Sequence, residues 1–236
     1  MSSGRPHVRT RSYSVSESSL FESIDQFIHD QFSRDDEHLE AVAKSLVQAS
    51  IQNISVSSPQ GKFLHLLAKF GRAKKILEIG TLGGYSTIWM ARALPPTGKL
   101  ISLEVDAMHA QVARDNIARA GLGRIVDIRI GDAAAALRKL ISEGGKPFDM
   151  IFIDADKVSY EKYFKLSLKL VHSGSLIIAD NVIRRGAVLD PANADENARG
   201  ISAFLKTLSA SRAVSATVLQ TVGAKGHDGM AIAVVN

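Results

Sequence analysis

The stretch Lys74-Lys75-Ile76-Leu77-Glu78-Ile79-Gly80-Thr81-Leu82-Gly83-Gly84-Tyr85-Ser86 decides the fold. Residues 74–79 form a short apolar run that reads as a strand buried on both faces. The glycines after it let the backbone turn sharply and come close to a ligand, and a helix is expected at about 84–94. The spacing is G-x-x-G-G. It lacks the G-x-G-x-x-G of dinucleotide binders and the Lys-Ser/Thr of a phosphate-cradling loop. Taken alone, it also fits an ordinary strand-to-helix turn.

The same texture continues downstream. Strands are expected at Lys99–Glu104, 124–130, Phe148–Ile153 and Ser175–Ala179, and helices at Asp106–Gly121, Asp132–Ser142 and about 157–171. Five strand–helix cycles with near-continuous apolar strands argue a doubly wound α/β sheet. Residues 182–199 read as an irregular loop, followed by a helix at about 197–209. Val214–Val222 and Met230–Val235 alternate, with the turn-rich GAKGHDG between them, and so predict an antiparallel hairpin. Upstream, helices are expected at 18–32, with Leu20, Ile24, Phe27 and Ile28 as the apolar face, and at 36–52, with Leu39, Val42, Leu46 and Val47. A third helix should start at Ser58 as N-cap, with Pro59 at its first position, and close at Gly71.

Composition narrows the function classes. The chain has 236 residues, 45% hydrophobic and 22% charged, enough for one domain with its own core. With no Cys, disulfides, zinc–thiolate sites and Cys nucleophiles are excluded, and a reducing, cytoplasmic setting is the natural expectation. No apolar run reaches the ~18 residues of a membrane span. The net charge of +5 suggests nucleic acid, but Arg5, Arg9 and Arg11 place three of those charges before residue 17. The rest is nearly balanced, with no basic stripe interleaved with aromatics. Residues 1–17 read as a flexible basic tail, or alternatively as an Arg- and Ser-rich mitochondrial leader.

In an open α/β sheet the ligand sits at the carboxyl ends of the strands. Glu104 ends the second strand, where an acid can accept both ribose hydroxyls or simply face solvent. Asp132 and Ala133 follow the third, as an adenine-pocket lining or a helix cap. The fourth strand ends in Asp154-Ala155-Asp156-Lys157 and the fifth in Asp180-Asn181. Capping explains one Asp well, but not a cluster of hard oxygen donors on two strand tips, which suits Mg²⁺ or a similar divalent ion.

LEIGTLGGYS (77–86), LEVD (103–106), IGDA (130–133), FIDADK (152–157) and ADN (179–181) resemble the cation-dependent class I S-adenosylmethionine O-methyltransferases, most of all the caffeoyl-CoA/catechol group. The resemblance spans roughly residues 36–236, including SPQGKFL (58–64) and HDGMAIAVV (227–235). It implies a single-domain Rossmann-like methyltransferase. Its sheet would be seven-stranded and mostly parallel, with a C-terminal antiparallel hairpin. N-terminal helices would occupy 18–71 and the α/β core 72–236. Glu78, Gly80, Thr81 and Ser86, with backbone near Val56, would hold the methionine part of the donor. Glu104 would take the ribose, Asp132 and Ala133 the adenine, and Asp156 the donor's amino group. Asp154, Asp180 and Asn181 would bind the metal (Mg²⁺, or else Mn²⁺ or Ca²⁺), Asp154 thereby also serving catalysis beside the donor. Lys157 would take the proton of the attacking hydroxyl. The acceptor would be a small phenol with vicinal hydroxyls, neither nucleic acid nor membrane would be a partner, and the enzyme would be a homodimer joined through its first helices. Gln60, and Arg184-Arg185, stand where plant members carry other residues, which points away from CoA esters of the plant type. The competing expectations are a methyltransferase on RNA or another macromolecule, and a donor-binding protein without catalysis.

Overall fold

The structure is a computed structural model that describes residues 15–236. The expected basic tail falls largely on residues 1–14, outside the described residues. Helix α1 (Val15–Phe32) begins slightly before the expected position. Then come α2 (Glu37–Gln48), α3 (Ser58–Phe70), β1 (Lys75–Ile79), α4 (Tyr85–Ala91), β2 (Lys99–Glu104), α5 (Ala107–Arg119), β3 (Val126–Ile130), α6 (Ala133–Glu143) and β4 (Phe148–Ile153). A short 3-10 turn (Lys157–Ser159) leads into α7 (Tyr160–Ser167), β5 (Val171–Ala179), α8 (Glu196–Ala210), β6 (Val214–Gly223) and β7 (Gly226–Val235).

The seven strands form one sheet in the order β3-β2-β1-β4-β5-β7-β6. The first five pair in parallel, while β7 runs antiparallel to both β5 and β6. The order reverses at β1, which lies between β2 and β4, and this opens the crevice where ligands bind in such sheets. Alternation along β1 serves two cores. Leu77 and Ile79 join a cluster with α6, α7 and α8, whereas Ile76 faces the cluster built by α2 to α5. The expected mostly parallel, doubly wound sheet with its terminal hairpin is what the chain forms.

Several local expectations are corrected. The N-cap of α3 is Ser57, not Ser58: its hydroxyl accepts the Gln60 N–H, and the Gln60 side chain accepts the Ser57 N–H, a reciprocal box. Ser58, one residue inside the helix, donates instead to the Ser33 carbonyl. The helix expected over 157–171 is split and shorter, because β5 already begins at Val171. The second helix ends at Gln48, and Ser50 turns into the left-handed region (φ 57°). The hairpin turn is only Ala224-Lys225, since Gly223 pairs with Gly226 and most of GAKGHDG is strand. On α1, Leu20, Ile24 and Phe27 are exposed, and only Ile28 of the expected apolar face reaches a cavity.

Gly80 is where close packing requires glycine. Its φ is +99°, and a Cβ there would lie 2.0 Å from the Asp154 carbonyl oxygen. Gly80→Ala should therefore destabilise the protein by about 2–4 kcal/mol, from strain and overpacking together. Urea unfolding measures this, and a loss below ~0.5 kcal/mol would show that the two strand tips can separate freely.

Candidate active site

The glycine turn is held from below by two acids. Glu78 is fully buried beneath it and accepts from the hydroxyls of Ser86 (2.5 Å), Ser102 (2.6 Å) and Thr87. Burial pushes its carboxyl up to about 7 against the pull of those hydroxyls. Glu104 at the β2 tip is 8% exposed. One of its oxygens accepts the N–H groups of Thr81 (3.2 Å) and Leu82 (2.8 Å), the other those of Val105 (2.8 Å) and Asp106 (3.0 Å). A carboxylate oxygen has about two lone-pair sites, so the backbone already fills this side chain's capacity. Asn116 of α5 completes the support by donating to Gly83 O and Ser45 Oγ, both at 2.9 Å.

The next strand tips lie beside this turn. The Asp154 N–H donates to Ile79 O at 2.9 Å, and the Asp180 N–H to Ile153 O at 3.0 Å, so β1, β4 and β5 end side by side. Lys157 Nζ donates to Asp154 Oδ1 at 2.7 Å and to the Tyr160 hydroxyl at 2.8 Å. That hydroxyl faces the Asp180 carbonyl at 3.1 Å and the Ile153 carbonyl at 3.3 Å, tying both tips to α7. Asp180 is 2% exposed and accepts from the Asn181 N–H at 2.8 Å. Burial, with the charge of Asp154 added, raises its carboxyl to about 7. Asn181 itself sits in the left-handed region at φ 57°.

Asp154, Asp180 and Asn181 line one cavity of about 390 Å³, at the lower end of the roughly 300–1,000 Å³ typical of small-molecule sites. Ile28, Ile54, Val56, Phe63, Leu219 and Met230 supply its apolar walls. A neighbouring cavity of about 190 Å³ shares Val56 and is lined by Asp35 and Tyr85, whose hydroxyl donates to Asp35 at 2.7 Å.

Among the described residues no three His, Cys, Asp or Glu side chains gather in a metal-binding group. The available donor set is thus two carboxylates and one amide. It suits a hard divalent cation. Two acids, one buried and raised by the other's charge, face one cavity, and bound positive charge would relieve their repulsion.

Other expected residues have additional duties. Asp132 caps α6 by accepting the Ala135 N–H at 2.7 Å, so the capping reading of its side chain holds. Asp156 accepts from the Tyr163 hydroxyl. Trp89 is core, packed over Gly61. Tyr160 and Asp228 were missed as positioning groups. Asp228 Oδ1 accepts the N–H groups of Ile183 (2.9 Å), Arg184 (3.0 Å) and Gly229 (2.9 Å), locking the loop after Asn181 onto β7. Tyr160, three residues after Lys157 at helical spacing, was the available signal.

Residues 29–234 match the model of the O-methyltransferase family. The chain is 54% identical, over 92% of its length and 98% of the relative's, to a catechol O-methyltransferase of Niastella koreensis. The structure superposes with a TM-score of 0.90 on the O-methyltransferase from Bacillus cereus in complex with SAH, at 45% identity over 93% of this chain and 100% of that one. The O-methyltransferase of Streptomyces achromogenes involved in tomaymycin synthesis, in complex with SAM, also gives 0.90, at 41% identity over 93% and 99%.

Glu104→Gln tests the acid that holds the turn. An amide nitrogen cannot accept the two N–H groups it would face, so stability should fall by about 2–4 kcal/mol, read by chemical unfolding. A near-neutral Gln would show that the four bonds are dispensable. For Asp180 and Glu78 the folded pKa lies above the unfolded one. Their contribution to stability is complete below about pH 4 and is lost as pH rises through about 7. In chelator, the melting temperature should therefore decline between pH 5 and 8, and less steeply in Asp180→Asn. Parallel profiles for the two proteins would contradict this.

Proposed function

The chain belongs to the O-methyltransferase family, and from that premise we propose that it methylates one hydroxyl of a small vicinal dihydroxy aromatic, with a divalent cation held by Asp154, Asp180 and Asn181. It is an S-adenosylmethionine-dependent O-methyltransferase. The observation that carries the finer reading is the pairing of Asp154 and Asp180 on adjacent strand tips, both lining a cavity of about 390 Å³ with apolar walls.

The donor supplies a methyl group already activated on sulfonium, and the cation, Mg²⁺ by preference, supplies charge that favours the ionised form of a hydroxyl. The protein's own part is placement and proton handling. Gly80, Thr81 and Ser86 shape the donor's seat, with Glu78 held beneath it and Val56 at its edge. Glu104 serves the ribose and, since its lone pairs are in use, must exchange or share backbone donors to do so. Ala133 and Asp132 border the adenine, and Asp156 the amino group. Phe63 and Ile54 flank the acceptor ring. Lys157, fixed by Asp154 and Tyr160, would take the hydroxyl proton at Nζ as the neutral amine, having first released its own ammonium proton to solvent. Holding oxygen and methyl in line supplies a proximity advantage of up to ~7–11 kcal/mol.

A homodimer and a cytoplasmic location belong to the same proposal. Leu20, Ile24, Phe27 and Phe32 are exposed together on α1, more apolar surface than a solvated helix needs, and a second copy of this chain is the occupant we assign to it. Among the described residues no helix is long and apolar enough to cross a membrane.

The test is mass-spectrometric detection of methyl transfer to a panel of catechols, with Mg²⁺ and with chelator. Turnover should require the metal, and Asp180→Ala should reduce kcat by at least ~100-fold while donor binding changes little. Full activity in chelator, or turnover of monophenols as fast as catechols, would overturn the metal-chelation reading.

A further inference from the structure

Lys225 is one of the two residues at the tip of the β6–β7 hairpin, and it lines both cavities. The residue is exposed at the mouth, yet its ammonium is crowded by protein, which pulls it below the usual lysine range. The carboxylates of Asp154 and Asp180 face it and oppose that shift. The tip is anchored: the Ala224 N–H donates to Asp25 Oδ2 of α1 at 2.8 Å, and Gly223 lies directly under that carboxylate. Arg185 stands just outside, its guanidinium within 4 Å of where a Cβ on Gly226 would lie. Its loop is held in a costly conformation, with Arg184 and Arg185 both at φ 53°.

The acids and bases of this cavity are unequally committed. Asp154 is paired with Lys157, Asp180 accepts from Asn181, Asp228 from three N–H groups and Asp25 from Ala224. Neither Lys225 nor Arg185 takes part in a salt bridge among the described residues. Among the described residues Lys225 is the one cation on the cavity wall and has no ion-pair acceptor of its own, so it is the group available to receive an anion there, with Arg185 adding positive charge from outside the lining. The hydroxyl-binding end is assigned to Asp154 and Asp180, so an anion received at Lys225 would belong to a ring substituent rather than to the reacting oxygens.

We propose that Lys225, with Arg185 behind it, is the specificity-determining cation that receives a carboxylate on the acceptor, making the preferred substrate a dihydroxyaromatic acid. This rests on the vicinal-dihydroxy reading above and sharpens it. Charge-assisted hydrogen bonds of this kind form in the bound acceptor and so act mainly through KM.

The experiment compares 3,4-dihydroxybenzoate with its methyl ester, which keeps the hydroxyls and removes the charge. The wild-type protein should prefer the acid. In Lys225→Met the acid-to-ester ratio of kcat/KM should fall by about 10- to 100-fold, with the loss in the acid's KM. Lys225→Arg should retain most of the ratio, and Arg185→Gln should lower it less than Lys225→Met. Melting curves establish that each variant is folded. No preference for the acid in the wild type, or an unchanged ratio in Lys225→Met, overturns the proposal while leaving the catechol reading standing. Absence of methyl transfer to both compounds overturns that reading and this inference with it.

Discussion

The backbone of Gly80 touches the backbone of Asp154, and the rest of the site follows from that contact. Parallel pairing of β1 with β4 carries the Asp154 N–H onto the Ile79 carbonyl, and only a residue without a Cβ fits where the chain then turns away. This contact is the sheet's reversal point in atomic form. It brings the glycine turn and the acid-bearing β4 tip to one crevice, so a ligand in the turn and a ligand at the acids must be neighbours. A reaction that needs two substrates in line gains that proximity from strand order alone.

Around the contact, polar groups act as fasteners. Glu104 gathers four backbone N–H groups and thereby sets the shape of the turn. Tyr160 gathers the β4 and β5 tips and Lys157. Asp228 gathers the loop after Asn181. Each satisfies several groups at once, which is how buried polar atoms avoid a desolvation penalty. Asp180, like Glu78, is not fully compensated. One backbone donor does not offset its burial beside Asp154, and its carboxyl rises to about 7. Such a perturbed acid on a cavity wall marks where the protein accepts a local cost for function.

Much of this was legible in the chain. Apolar strand runs each end in a turn-and-acid signal, so the order Glu78, Glu104, Asp132, Asp154, Asp180 could be read as five strand tips before any coordinates. What escaped reading depends on tertiary contact. Tyr160 at helical spacing looks like any core aromatic, and its hydroxyl matters only because two carbonyls converge on it. Ser57 and Ser58 are equivalent as letters, and the backbone angle at Ser57 decides which one caps. The Leu20, Ile24 and Phe27 stripe has the period of a buried face, but α1 turns it outward. Lys225 sat inside a string of turn residues, and a hairpin closed in two residues converted it from loop decoration into a group at the cavity mouth.

The central claim is that Asp154, Asp180 and Asn181 form one divalent-cation site serving the acceptor. Titration with Mn²⁺ followed by electron paramagnetic resonance tests it most directly. The account predicts one tight Mn²⁺ per chain, lost in Asp180→Asn and in Asp154→Asn, kept in Glu104→Gln, and changed in line shape when a catechol is added. Tight Mn²⁺ that survives both Asp substitutions, or a spectrum indifferent to catechol, would contradict it.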